Sequence, residues 1–162
     1  MVNLDKEALV VAQKMVNSLA EDPKKIKELE NRLTKSLGIL TESGVYALFV
    51  YLLAERKEAK KNGGAANDPC HGILRVLMQA FKESDLCALL GLREEEVPSL
   101  GEKPKSGDAQ KVLNWASGQV GELGRLLLLR DFLLRVFTYG RYCAAARKTE
   151  LKAGPAEGGR TS

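Results

Sequence analysis

The sequence predicts an all-α protein, a single compact bundle of about five to six helices with a long buried C-terminal helix. Apolar residues recur at three- and four-residue spacing along most of the 162 residues, which is the period of a helix packed on one face. No stretch shows the apolar–polar alternation of a half-buried strand. Hydrophobic residues make up 44% of the chain, which is enough for a core.

Helix start and stop signals divide the first half of the chain. A helix is expected to about Ala20, and the Asp22-Pro23 pair then predicts a new start, because Asp caps free N–H groups and Pro tolerates the first helical position. Gly44 interrupts or bends that helix before its apolar stripe resumes at Val45. The charged residues up to 61 and the glycines that follow predict its end.

The second half repeats these signals. Asp68-Pro69 predicts another helix start, Gly91 ends a short helix, and Asp108 is expected to cap a helix that carries Trp115. Between them, the Pro- and Gly-containing segment 92–107 predicts a flexible charged loop. Residues 126–152 are apolar on most sides, which predicts the long central helix. We therefore expect one domain over residues 1–152 and a disordered tail over 153–162.

The net charge of +4 is distributed unevenly. Residues 82–108 hold four bases and seven acids, whereas residues 124–153 hold seven bases and two acids. At 100° per residue, four bases of the last helix fall within a sector of about 40°, opposite its apolar face. This basic stripe, which suits contact with phosphate oxygens or is simply a solvated helix face, consists of Arg130, Arg141, Lys148 and Lys152. Four further bases cluster near the predicted end of an earlier helix: Arg56, Lys57, Lys60 and Lys61.

The sequence contains few of the residues that commonly act in catalysis or bind metal ions. His71 is the only histidine and the three cysteines, Cys70, Cys87 and Cys143, show no paired spacing, so we expect no catalytic residue, no metal site, no cofactor and no small-molecule substrate. The enzymatic alternative uses Cys70 or Cys143 with His71. Because neighbours on a helix point about 100° apart, a facing pair would more readily form with Cys87 or Cys143 across the core. No apolar run reaches transmembrane length and residues 1–5 lack a signal layout, so a cytoplasmic protein without membrane contact is expected.

Two stretches resemble a known family. Residues 37–45 (LGILTESGV) with 47–53 (ALFVYLL), and residues 140–148 (GRYCAAARK), are similar to segments of the small α-helical subunit of type III-B CRISPR effector complexes, the Cmr small subunit. The chain departs from the family at Gly38, where proline is common, and it lacks a tryptophan in its last helix.

The resemblance implies a non-catalytic structural subunit of an RNA-guided antiviral complex. Such subunits stack in several copies, contact other subunits of the effector complex, and contact the guide–target RNA duplex through basic helix faces. The matched basic positions are Arg141, Arg147 and Lys148; Arg130 and Lys152 come from the stripe argument, and the cluster at 56–61 from composition. The alternative is a generic helical protein-interaction module with no nucleic-acid role.

Overall fold

The computed structural model is all-helical and describes residues 3–61, 68–120 and 122–160, with the side chains of 57–61, 120 and 152–160 left undescribed. Within these residues seven α-helices follow one another: α1 (Leu4–Leu19), α2 (Pro23–Ser43), α3 (Val45–Lys61), α4 (Pro69–Phe81), α5 (Ser84–Leu90), α6 (Asp108–Val120) and α7 (Leu123–Arg160). The predicted all-α bundle with a long C-terminal helix is confirmed.

The predicted helix boundaries have direct structural causes. Asp22 accepts a hydrogen bond from the Lys25 backbone N–H at 2.9 Å, and Asp68 accepts one from the Cys70 N–H at 3.0 Å, so both Asp-Pro pairs begin helices as expected. Gly44 separates α2 from α3 at a φ of 95°, which a residue with a side chain rarely adopts. The break there makes two helices of one apolar run.

The core lies where α7 packs along α1 and α2, with α3, α4 and α6 closing the far side. The predicted apolar face of α7 is buried there, including Phe132 and Leu133. Gly140 of α7 allows Leu33 of α2 to approach closely, since an added Cβ would lie 3.1 Å from a Leu33 methyl. On the far side the Trp115 ring lies 5.4 Å from Phe81 and 5.8 Å from Phe49, at distances that favour aromatic pairs.

Segment 92–107, which the sequence predicts to be a flexible charged loop, joins α5 to α6 and places several residues in the core. It contains a short 3-10 turn at Glu94–Glu96, and it buries Val97, Leu100 and Pro104. The carbonyl oxygen of Gly101 accepts a hydrogen bond from His71 Nε2 at 2.8 Å. The few apolar residues between the Pro and Gly positions therefore anchor this segment to the core.

The last helix extends beyond its predicted end near Lys152. The helix continues to Arg160, past Lys152 and into residues that were expected to form a disordered tail. Among the described residues, no helix combines the length and apolar character needed to cross a membrane.

Candidate nucleic-acid interface

The outer face of α7 carries Arg130, Arg141 and Lys148, the three residues of the basic stripe whose side chains the structure describes. Arg141 is exposed, and Arg130 and Lys148 are partly exposed, while the opposite side of the helix is buried as predicted. Arg130 and Lys148 lie 18 residues apart, which is about 27 Å along a helix. Lys148 Nζ is 4.0 Å from Glu30 Oε1 of α2. Arg130 and Arg141 make no ion pair with any other side chain that the structure describes.

A shallow groove of about 270 Å³ lies between α2 and α7 beside Arg141. We call it the outer groove; its lining residues are Glu30, Thr34, Arg141, Tyr142 and Ala145. Tyr142 has 72% of its surface exposed. The groove thus presents a phenol ring next to a guanidinium group, a combination that can meet a nucleotide through stacking and through phosphate contact.

Arg147 faces a different neighbour. Its Nε donates a hydrogen bond to the carbonyl oxygen of Ala20, the residue that ends α1, at 3.4 Å. A cation at this position is favourable because the last carbonyl groups of a helix lack partners. Arg147 therefore ties α7 to α1 and does not contribute to the outer groove, although it lies within one of the stretches that resemble the Cmr small subunit.

Arg56, the first base of the predicted second cluster, lies inside the protein. Only 4% of the residue is exposed, and its Nη1 donates to Asp108 Oδ2 at 2.9 Å and lies 3.3 Å from His71 Nδ1. Composition suggested a solvated helix end, but the side chain points into the protein, where a partner far along the chain neutralises it. The side chains of the other three bases of this cluster, Lys57, Lys60 and Lys61, and that of Lys152 lie outside the described residues.

Arg56, Asp68, His71 and Asp108 form what we call the inner cluster, at the start of α4. A carbonyl oxygen only accepts and a guanidinium only donates, so His71 carries its proton on Nε2, toward Gly101, and accepts from Arg56 at Nδ1. Burial lowers the pKa of His71, consistent with a neutral ring. Asp108 Oδ2 also accepts from the backbone N–H of Lys105 at 2.8 Å. Asp108 therefore holds Arg56, where we had expected a simple helix cap.

The cysteine–histidine alternative finds no support in this arrangement. Both ring nitrogens of His71 are engaged by other groups. The Cys70 thiol is buried, and burial raises its pKa to about 12, which disfavours the nucleophilic thiolate. Burial also raises the pKa of the Cys143 thiol. Across the described residues, no group of three or more His, Cys, Asp and Glu side chains is placed to hold a metal ion.

Two features of these sites escaped the sequence-based predictions. Glu30 and Thr34 of α2 line the outer groove only because α2 packs on α7, and no local sequence pattern predicts that packing. The sequence predicts only a capping role for Asp68, yet its second carboxylate oxygen is buried and has no hydrogen-bond partner among the residues that the structure describes. The repeated Asp-Pro signal predicted the cap correctly but carried no information about burial.

Comparisons with protein-family models, with curated proteins and with solved structures find no match to this chain.

Proposed function

We propose that this chain is a non-catalytic subunit of an RNA-guided effector complex of the CRISPR type III-B kind, and that it contacts the guide–target RNA duplex through the outer face of α7. The observation that carries the proposal is the outer groove, where exposed Arg141 and Tyr142 stand side by side without an acidic partner for the arginine. The proposal places other subunits of the complex and further copies of this chain among its partners.

The charge geometry supports contact with a nucleic-acid backbone. Arg130, Arg141 and Lys148 follow one face of α7 for about 27 Å, and each carries donors suited to a phosphate oxygen. Glu30 lies within the same face, but the neighbouring Lys148 offsets its charge. Such a surface positions a duplex without reading its sequence, as expected of a subunit that supports an RNA guide.

The α7 side of the outer groove lies within one of the stretches that resemble the Cmr small subunit, whereas Glu30 and Thr34 of α2 lie outside them. The matched stretches 37–45 and 140–148 lie on α2 and α3 and on α7, and α2 packs on α7 to form the outer groove. The residues that carry the likeness therefore belong to adjoining helices.

Fluorescence anisotropy with a labelled short RNA duplex tests the proposal. At about 50 mM salt we expect binding, and raising the salt to about 200 mM weakens it by about 40-fold if three phosphates are contacted. Arg141→Glu and Arg130→Glu should each weaken binding by about tenfold. Arg93→Glu is the matched control, because Arg93 is 72% exposed on the segment after α5 and the net charge changes equally.

Two results would contradict the proposal. One is the absence of binding at low salt. The other is an equal loss of affinity in Arg93→Glu and Arg141→Glu, which would show that RNA responds to overall charge and not to the α7 face.

A second candidate is the protein-interaction module without a nucleic-acid role. Its support is the exposed apolar surface at the start of α7, where Leu123 and Leu127 are 68% and 56% exposed. Sedimentation of the purified chain, combined with the RNA-binding measurement, discriminates between the two functions, because self-association alone fits both. Association that Leu127→Glu abolishes, together with an absence of RNA binding, would favour the interaction module.

A further inference from the structure

A polar cavity of about 330 Å³ lies apart from the outer groove, where the end of α1, the start of α2 and the start of α4 meet. Charged residues of both signs line it, among them Lys25, Asp68, Arg75 and Glu102, with His71 forming part of the wall. The volume is at the small end of the range for ligand pockets. Nothing in the proposed RNA contact uses this space.

Asp68 provides an unsatisfied negative pole. The residue is 4% exposed, its Oδ1 accepts from the Cys70 N–H, and its Oδ2 is buried with no hydrogen-bond partner among the described residues. Leaving a buried carboxylate oxygen unpaired is costly, and native proteins rarely do so. The ring of His71 cannot supply the missing donor, because its N–H is directed at Gly101. The backbone N–H of His71 lowers the pKa of the Asp68 carboxyl but makes no hydrogen bond to Oδ2.

Arg75 provides a positive pole in the same cavity. Its Nε is buried without a partner, and its guanidinium makes no ion pair with the side chains that the structure describes. Lys25, the other base in the lining, is already paired with Glu21 at 3.1 Å. Among the described residues, the cavity therefore holds one buried carboxylate oxygen and one buried guanidinium N–H without partners. They belong to residues seven positions apart, about two turns along the start of α4. Glu102, the other carboxylate of the lining that has no ion pair with a described side chain, is exposed to water.

We propose that this cavity binds a small zwitterion of the α-amino acid class, whose ammonium group donates to Asp68 Oδ2 and whose carboxylate accepts from the Arg75 guanidinium. A simple anion would meet the Asp68 carboxylate, and a simple cation would leave Arg75 without a partner. A metal ion lacks the three protein ligands it needs among the described side chains. The sequence predicted no small-molecule substrate, and the proposed molecule is a bound ligand that undergoes no reaction.

Isothermal titration calorimetry of the full chain with free L-amino acids, one at a time, tests this site. We expect at least one to bind, and its N-acetyl and carboxamide analogues to bind at least about tenfold more weakly, because each loses one charge-assisted hydrogen bond. Phosphate and methylamine, which each carry one of the two charges, should not compete.

Variants locate the binding on the two poles. Asp68→Asn keeps the oxygen that caps α4 but removes the charge, and Arg75→Gln removes the other pole; each should weaken binding by at least about tenfold. Asp22→Asn is the control, because it makes the same change at the exposed cap of α2. The proposal is overturned if no amino acid binds, if phosphate or methylamine competes, or if both pole variants bind as tightly as the unaltered chain.

Discussion

The inner cluster and the outer groove use similar side chains to opposite effect. Each contains an arginine and a carboxylate, yet Arg56 is 4% exposed and bonded to Asp108 at 2.9 Å, whereas Arg141 is exposed and pairs with no described carboxylate. An arginine inside the protein must be neutralised, because a buried charge without a partner is costly. An arginine on the surface is hydrated by water, and its N–H donors remain accessible. Residue type alone therefore says little about whether an arginine serves folding or binding.

Replacing the two arginines by methionine is the strongest test of this contrast. Arg56→Met leaves Asp108 buried without its cation, and we expect the free energy of unfolding to fall by about 3–5 kcal/mol. Arg141→Met should change it by less than about 0.5 kcal/mol. Denaturant unfolding measures both. Adding Asp108→Leu to Arg56→Met should recover part of the loss, since the stranded charge is removed. Equal effects of the two single variants would mean that the inner cluster does not hold the fold together.

A smaller effect is expected at the Asp-Pro helix starts, one buried and one exposed. Burial raises the pKa of Asp68 to about 6 from a usual value of 3.8. The folded protein therefore retains this proton while the unfolded chain loses it, and the stability that Asp68 contributes at low pH is lost as pH rises from about 4 through 6. At about pH 7.5, Asp68→Asn should raise the free energy of unfolding by about 1–3 kcal/mol, and near pH 4 it should change it little.

The control for this measurement is Asp22→Asn, which keeps the helix cap at an exposed position. The effect of Asp22→Asn on the free energy of unfolding should be the same at both pH values. If the effect of Asp68→Asn on the free energy of unfolding also did not depend on pH, the Asp68 carboxylate would be solvated or paired. It would then not be an unsatisfied pole of the cavity.

The smallest effect is expected at two helical glycines, one in the interior and one at the surface. A Cβ on Gly72 of α4 would overlap Leu19 of α1, whereas one on Gly38 of α2 would meet nothing within 4 Å. Gly72→Ala should therefore lower the free energy of unfolding by about 1 kcal/mol, because the flexible end of Leu19 must move. Gly38→Ala should raise it by about 0.5–1 kcal/mol through helix propensity. Thermal melting measures both, and a stabilising Gly72→Ala would show that the α1–α4 contact is loose.

The sequence predicted the helices well because their signals are local. The Asp-Pro pairs, Gly44 and Gly91 act on the backbone within a turn of themselves, so they begin and end helices wherever these pack. It predicted the site less well. The stripe on α7 follows from the helical period, and Arg141 is exposed as that period requires, but Arg147 binds Ala20 and Arg56 is buried.

The sequence by itself therefore determined the fold class, most helix boundaries and the amphipathic character of α7, because propensity, capping and periodicity operate over a few residues. Only the tertiary structure decided which charges face water. Arg56 meets Asp108 across 52 positions of the chain, and Asp68 is buried by helices that lie far from it in sequence. Burial and pairing depend on how helices pack, and packing is set by long-range contacts that leave no periodic trace around the residues concerned.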